Sequence, residues 1–357
     1  MSEIVEKLSI DVFSDIRSII NDSKAAVAQS VNSTVTAMYW HIGNRIKVEI
    51  LNNKRAEYGK EIVGTLARQL AVEFGKGWSR KQLFHCLRFS EAFPDLAIVS
   101  TLWRQLSWSH FKLVMYLENA IQRDFYLQIS RVERWSVRTL QIQMDSMLFE
   151  RTAISKKPDE LAETELKLLA EKNILSPDLV FKDHYILDFL DLKDTYLEYD
   201  LETAILNDIE HFILELGGGF TFVARQKRMT IDNTDFSLDL LFYHRKLKRL
   251  VAVELKLGKF KAAYKGQMEL YLRWLEKYEK EIDEESPVGL ILCAEGNQEQ
   301  VELLQLDQSN IRVAEYITQQ IDPELLKERL HRFRLKAEAL MELKNMERAE
   351  LNGGNDE

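Results

Sequence analysis

The apolar residues of this chain change their spacing at Gly217-Gly218-Gly219, from every three or four positions to every second position. A helix face repeats about every 3.6 residues and a strand face every two, so one pattern cannot serve as the other. From about residue 9 to residue 150 the spacing is helical, as in Ile16, Ile19, Ile20, Val27 and Val31 and then Met38, Ile42, Ile46 and Ile50. Gly59, Gly75-Lys76-Gly77 and Pro94 punctuate it. A last helix is expected over 200–216, ended by the glycine triplet. Beyond it, 220–229, 236–244 and 250–257 are rich in β-branched and aromatic residues and separated by turn residues, which predicts an antiparallel meander. Helix 261–280, strand 288–293, helix 298–306 and strand 311–316 then imply crossovers and a mixed sheet covered by helices on both faces.

The expected fold class is therefore α+β. It comprises an all-helical N-terminal domain over 1–155, an acidic linker segment over 156–200, an α/β domain with a central mixed sheet over 201–320, and a charged helix with a disordered tail over 321–357. With 357 residues and 46% apolar content the chain can fill two cores. Cys86 and Cys293 are the only cysteines, stand far apart among apolar neighbours, and read as reduced core thiols. No apolar run approaches the roughly 18 residues that span a bilayer, and the acidic, amphipathic start does not read as a signal peptide, so no membrane is expected and the location is cytoplasmic. The seven histidines have no zinc spacing, and no Walker-type phosphate loop is present.

Within the helical part, a helix ending near Phe74, the glycine turn and a second helix capped by Ser79 resemble a helix-turn-helix, with Arg80, Lys81 and Arg88 turned outward. An ordinary helical bundle explains the same pattern. Arg131, Arg134 and Arg138 are expected on one helix running to Met147, around Trp135; guanidinium groups there could grip phosphate oxygens or form a plain exposed row.

The charges inside the apolar strands carry the chemistry. Asp239 lies among Leu238, Leu240 and Leu241, and Glu254-Leu255-Lys256 follows Val251, Ala252 and Val253. Ionised groups in such runs must be paired, metal-bound or exposed at a cleft. Alternation puts Glu254 and Lys256 on one face, and a tight turn over 245–249 would bring Asp239 beside Glu254. Two convergent carboxylates suit a hard cation such as Mg²⁺, with Lys256 offsetting phosphate charge and acidifying the attacking water. A buried Glu254–Lys256 salt bridge is the plainer alternative. Glu202, on the preceding helix, is placed to add a ligand or hold a water, or else simply favours a helix start; Gln267, on the following one, is placed to orient Lys256 or the water.

In order and in element, Glu202, Asp239, Glu254-Leu255-Lys256 and Gln267 resemble the PD-(D/E)XK, restriction-endonuclease-like pattern. Asp239-Leu240-Leu241-Phe242-Tyr243-His244, Val253-Glu254-Leu255-Lys256 and Gly266-Gln267-Met268 look like the YhcG-type nucleases of that superfamily. Tyr39-Trp40-His41-Ile42-Gly43 and Trp135-Ser136-Val137-Arg138, with 148–152, look like that family's helical first domain, whose function is poorly defined. The resemblance thus covers nearly the whole chain. It implies Asp239, Glu254, Lys256, Glu202 and Gln267 as the catalytic set and Asp239, Glu254, Leu255 and Glu202 as metal positions. It further implies a Mg²⁺-dependent DNA endonuclease linked to restriction or defence against foreign DNA, with Mn²⁺ as an alternative ion. Leu238 stands where the superfamily's proline would be, which changes no chemistry.

Net charge is -9, yet residues 224–261 carry ten Lys and Arg against four Asp and Glu, which suits a polyanion at the sheet. Arg225 and Lys227, expected on one strand face, Lys259, and Arg80, Lys81 and Arg138 of the helical part are the candidate nucleic-acid contacts. Sheet-edge lysines that block aggregation are the competing explanation for the first group. A homodimer would address two strands, and the helical domain could bind DNA or a protein partner. A non-catalytic nucleic-acid-binding scaffold and an RNA-directed nuclease remain the alternatives.

Overall fold

The three-and-four spacing becomes α1 (Ser2–Asn53), α2 (Ala56–Phe74), α3 (Arg80–Ala92), α4 (Trp108–Val114), α5 (Ala120–Glu133) and α6 (Val137–Asp145). This is a computed structural model, described for residues 2–53, 56–95, 100–102, 104–192, 196–295, 298–304, 306, 309–319, 326 and 328. It divides into two compact units, Met1–Met144 and Asp145–Glu357.

In the first unit Ser79 caps α3, its hydroxyl accepting from Gln82 N at 3.3 Å, as the turn-helix pattern predicts. Gly59 lies within α2 and does not break it. Ile46, Val63, Ala67 and Leu83 form the core between α1, α2 and α3. At Gly43 the backbones of α1 and α3 touch, because a Cβ there would lie 1.8 Å from Cys86 O. Phe89, Phe93 and Phe111 make a second, aromatic core, and Trp40 Nε1 donates to Phe93 O at 2.8 Å. The single arginine-bearing helix is not formed. Arg134 takes a left-handed φ of 53°, and Ser136 Oγ accepts from Thr139 N at 3.0 Å to start α6, so Arg138 lies on a different helix from Arg131.

The second unit contains α7 (Leu148–Arg151), α8 (Asp159–Lys172), β1 (His184–Ile186), α9 (Glu198–Asn207), α10 (Ile209–Leu216), β2 (Phe220–Ile231), β3 (Thr234–His244), β4 (Arg249–Lys259), α11 (Ala263–Tyr278), β5 (Val288–Glu295), α12 (Gln298–Leu303) and β6 (Ile311–Ile317). The sheet order is β1-β6-β5-β4-β3-β2, antiparallel from β2 to β4 and parallel from β4 to β1. Asp232 and Asn233, with φ of 47° and 60°, make the two-residue turn whose twist matches the β2–β3 hairpin.

Leu201, Ile205, Phe212 and Leu216 of α9 and α10 pack with Leu240, Phe242, Val251 and Val253. Met268, Tyr271, Leu272 and Leu275 of α11 cover the other face with Leu241, Ala252, Ile291 and Cys293. The expected continuous helix 200–216 divides at Asp208, whose Oδ1 lies 2.6 Å from His211 Nδ1. Residues 156–200, expected as an acidic linker segment, supply α8 and the edge strand β1. The expected helix and tail over 321–357 lie outside the described residues apart from Leu326 and Glu328.

Candidate active site

β3 and β4 stay in register from His244↔Arg249 to Leu240↔Val253, and the next step sets Asp239 opposite Glu254. There the ladder stops. The Asp239 carboxylate enters the gap instead, and its Oδ2 accepts from Leu255 N at 2.9 Å. A strand residue turns its N–H and C=O to the same edge, so the Leu255 carbonyl faces this gap as well. The Leu255 side chain is core, 1% exposed, and only its main chain is available to the site.

Glu254 is 4% exposed. Its Oε2 lies 2.9 Å from Lys256 Nζ, while Oε1 has no hydrogen-bond partner among the described residues. The salt bridge is thus present, yet it satisfies half of a buried carboxylate. Burial, and then the Asp239 charge, push the Glu254 carboxyl up to about 7 against the pull of Lys256. Burial also raises Asp239, opposed by the Leu255 N–H. For Lys256, burial favours the neutral amine but the Glu254 carboxylate outweighs it, so the net shift is upward and the ammonium is held charged. Its Nζ lies 5.5 Å from the Tyr264 ring centroid.

Just past Lys256, β4 bulges through Gly258, whose φ is 83°. Leu257 N there donates to Glu198 Oε1 at 3.2 Å. Glu198 is one turn ahead of Glu202 on α9 and raises both Asp239 and Lys256 by its charge. Sequence reasoning missed it, since an acid in the first turn of a helix is commonplace.

Gln226 was missed too. It is a non-glycine residue at φ 43°, at the β2 position facing Asp239, where Arg225↔Leu240 and Lys227↔Leu238 flank it. Its Nε2 donates to Glu202 Oε2 at 2.7 Å and to Asp239 Oδ1 at 3.3 Å, while its Oε1 accepts from Ser237 Oγ at 2.6 Å. Glu202 is buried, and burial raises its pKa against the Gln226 bond. An amide therefore stands between Glu202 and Asp239. No group of three or more His, Cys, Asp or Glu is arranged to hold a metal ion among the described residues. Asp239, Glu254 and the Leu255 carbonyl nevertheless make a hard-oxygen set with one unsatisfied buried oxygen, which fits a divalent cation. Gln267 is not on Lys256: its Nε2 donates to Tyr271 Oη at 2.7 Å, and Tyr271 Oη donates to Ser237 O at 3.2 Å.

The expected basic contacts are dispersed. Arg225 is exposed and lies near enough to Glu202 to lower its pKa, on the α9 side. Lys227 Nζ pairs with Glu279 Oε1 at 2.7 Å, beside Trp274 on the α11 side. The left-handed Gln226 between them breaks the alternation that would have aligned them. Lys259 makes an exposed pair with Glu295 at 3.4 Å. In the first unit Arg80 sits over the Phe84 ring at 5.5 Å, and Lys81 and Arg138 are exposed. Arg88 is half-buried, its Nε donating to Met115 O at 3.0 Å.

Residues 178–331 match the YhcG PDDEXK nuclease domain family, and residues 15–151 match the DUF1016 N-terminal domain family. The chain is 35% identical over 307 residues to the Escherichia coli (strain K12) protein YhcG, itself a nuclease by assignment, covering 78% of this chain and 81% of that one. A repair endonuclease from Pyrococcus abyssi overlaps 37% of this chain and 50% of its own, at 20% identity and a TM-score of 0.25. EndoMS, solved with double-stranded DNA, overlaps 36% and 49%, at 15% identity and a TM-score of 0.27. This chain thus spans about half the length of those two solved proteins. No described helix is long and apolar enough to cross a membrane. By its relative and by both of its matched regions, the chain belongs to the YhcG-type nuclease family of the PD-(D/E)XK superfamily.

Proposed function

We propose that this protein is a Mg²⁺-dependent endonuclease that hydrolyses DNA phosphodiester bonds, with Mn²⁺ able to replace Mg²⁺. The observation that carries this is the parting of β3 and β4, where Asp239 occupies the gap beside an incompletely satisfied Glu254. Asp239, Glu254 and the Leu255 carbonyl would hold the cation, which supplies polarisation of the phosphate and acidification of water. Lys256, kept protonated by Glu254, donates hydrogen bonds to the phosphate oxygens or the attacking water and offsets negative charge as it develops. A lysine held charged is no general base, so the proton leaves toward a carboxylate or solvent. Gln226 keeps Glu202 and Asp239 in fixed relation, and Gln267 acts through Tyr271 on the β3 backbone. Arg225 and Lys259 are two of the exposed cations of the second unit that would meet the substrate.

A role in restriction or defence against foreign DNA in the cytoplasm, and a homodimer, belong to the same proposal. Exposed Ile16, Ile19, Ile20, Val27 and Val31 along α1 support self-association. The Glu254–Lys256 pair favours a second reading, a nucleic-acid-binding scaffold without turnover. Plasmid DNA incubated with Mg²⁺ or Mn²⁺ separates the two. The nuclease cuts as wild type and stops in Asp239→Ala and Lys256→Ala. Cleavage that persists in both variants removes the site assignment, and a wild type that cuts neither DNA nor RNA leaves the scaffold.

A further inference from the structure

The first unit carries a second cluster of charge that the strand-borne acids do not use. Lys81, His85 and Arg88 fall at i, i+4 and i+7 on α3 and so share one face. His85 Nδ1 and Tyr116 Oη lie 2.6 Å apart, with the rings at 5.9 Å, which joins that face to the end of α4. Lys112 of α4 is near enough to act on His85, and Arg88 on both Tyr116 and Arg123. Burial first, then Lys112 and Lys81, hold His85 below the ordinary imidazole value, as a crowd of cations would. Asp124 offsets Arg123.

Gathering like charges opposes folding, and this chain does so while its total is -9. The cluster is also ordered in advance. Arg88 Nε donates to Met115 O at 3.0 Å, which fixes the plane of its guanidinium. Arg123 Nη1 donates to Leu117 O at 2.7 Å and Glu118 O at 3.0 Å. Tyr116, 53% exposed, keeps its hydroxyl on His85 Nδ1 at the surface of this face. Seven residues of helix span about 10 Å, comparable to two or three phosphates along one DNA strand.

We propose that the face formed by Lys81, His85, Arg88, Lys112, Tyr116 and Arg123 is a binding site for the phosphate backbone of duplex DNA, indifferent to sequence and separate from the sheet. It rests on the nuclease reading only for the choice of DNA over other polyanions. α3 is the second helix of the helix-turn-helix pattern, the element such motifs turn toward a duplex.

The test uses the full chain in EDTA, which prevents cleavage, and labelled duplexes of about 30 base pairs read by anisotropy from about 50 to about 200 mM salt. Lys81→Ala with Lys112→Ala should lower the slope of log K against log salt by about two and weaken binding about tenfold at 100 mM, equally for two unrelated sequences. Lys81→Arg with Lys112→Arg should bind as wild type, as should Lys24→Ala on α1, and circular dichroism should show unchanged helix in all. An unchanged slope and affinity in the alanine pair overturns the proposal; so does a wild type that prefers duplex RNA. DNA binding lost in the alanine pair without any metal-dependent cleavage by wild type would uphold this face and remove the nuclease. Cleavage by wild type with undiminished binding in the alanine pair would do the reverse.

Discussion

Gln226 holds two acids apart with one amide, and does so from a left-handed backbone that costs a non-glycine residue roughly 1 kcal/mol or more. Gln226→Ala should reduce cleavage about 10- to 100-fold, the range seen when partners behind metal ligands are lost, with the fold intact. Gln226→Gly should reduce it similarly yet be more stable than Gln226→Ala, because both lose the amide and only glycine relieves the strain; a glycine variant less stable than the alanine one would show that the conformation is not strained. Glu254 gives a pH signature in the metal-free protein. Its folded pKa, about 7, stands above the ordinary 4.5, so the folded state keeps a proton there that the unfolded state has lost. Its contribution is full below about 4.5 and vanishes as pH rises through about 7. Wild type measured against Glu254→Gln should therefore lose stability between about pH 4.5 and about pH 7, on the order of 3 kcal/mol in all. A flat difference would mean an ordinary carboxyl. Asp239 and Glu254 were legible in the sequence because charges in apolar strands are costly and the alternation is strict. Gln226 was not, since a polar residue on an exposed strand is unremarkable and its positive φ leaves no mark in composition.

The meander, the two crossover helices and the Ser79 cap were readable from period and turn chemistry. The elements that escaped are those whose signal is shorter than a period. β1 is three residues, His184-Tyr185-Ile186, inside an acid-rich stretch, and it forms because β6 offers a parallel edge. The break at Arg134 needed the competing Ser136 cap, which helix spacing alone does not weigh. Beside β1, Arg151 Nη1 and Lys182 Nζ meet Glu215 Oε1 at 2.5 and 3.1 Å, all largely buried. Glu215→Ala would strand two buried cations and should cost about 3–5 kcal/mol in denaturant unfolding. A loss below 1 kcal/mol would mean that water reaches the pair. Gly43→Ala, with Cys86 O in its way, should force α1 from α3 and cost about 1–3 kcal/mol.

Across the chain, the acid excess and the basic clusters are segregated, so bulk charge misleads about partners. The helical unit offers a cationic face and an apolar stripe, and the sheet unit offers a carboxylate pair with a lysine. If α1 associates through Ile16, Ile20 and Val27, light scattering should give twice 41.8 kDa, and Ile20→Lys with Val27→Lys should give one. A wild-type monomer would remove the dimer from the proposal. The claim on which the rest depends is that Asp239 and Glu254 form a cation site. Calorimetric titration of Mn²⁺ at pH 8 tests it most directly: wild type should bind the ion and release fewer protons than at pH 6.5, and Asp239→Asn and Glu254→Gln should each lose binding. Equal Mn²⁺ affinity in wild type and both variants would contradict it.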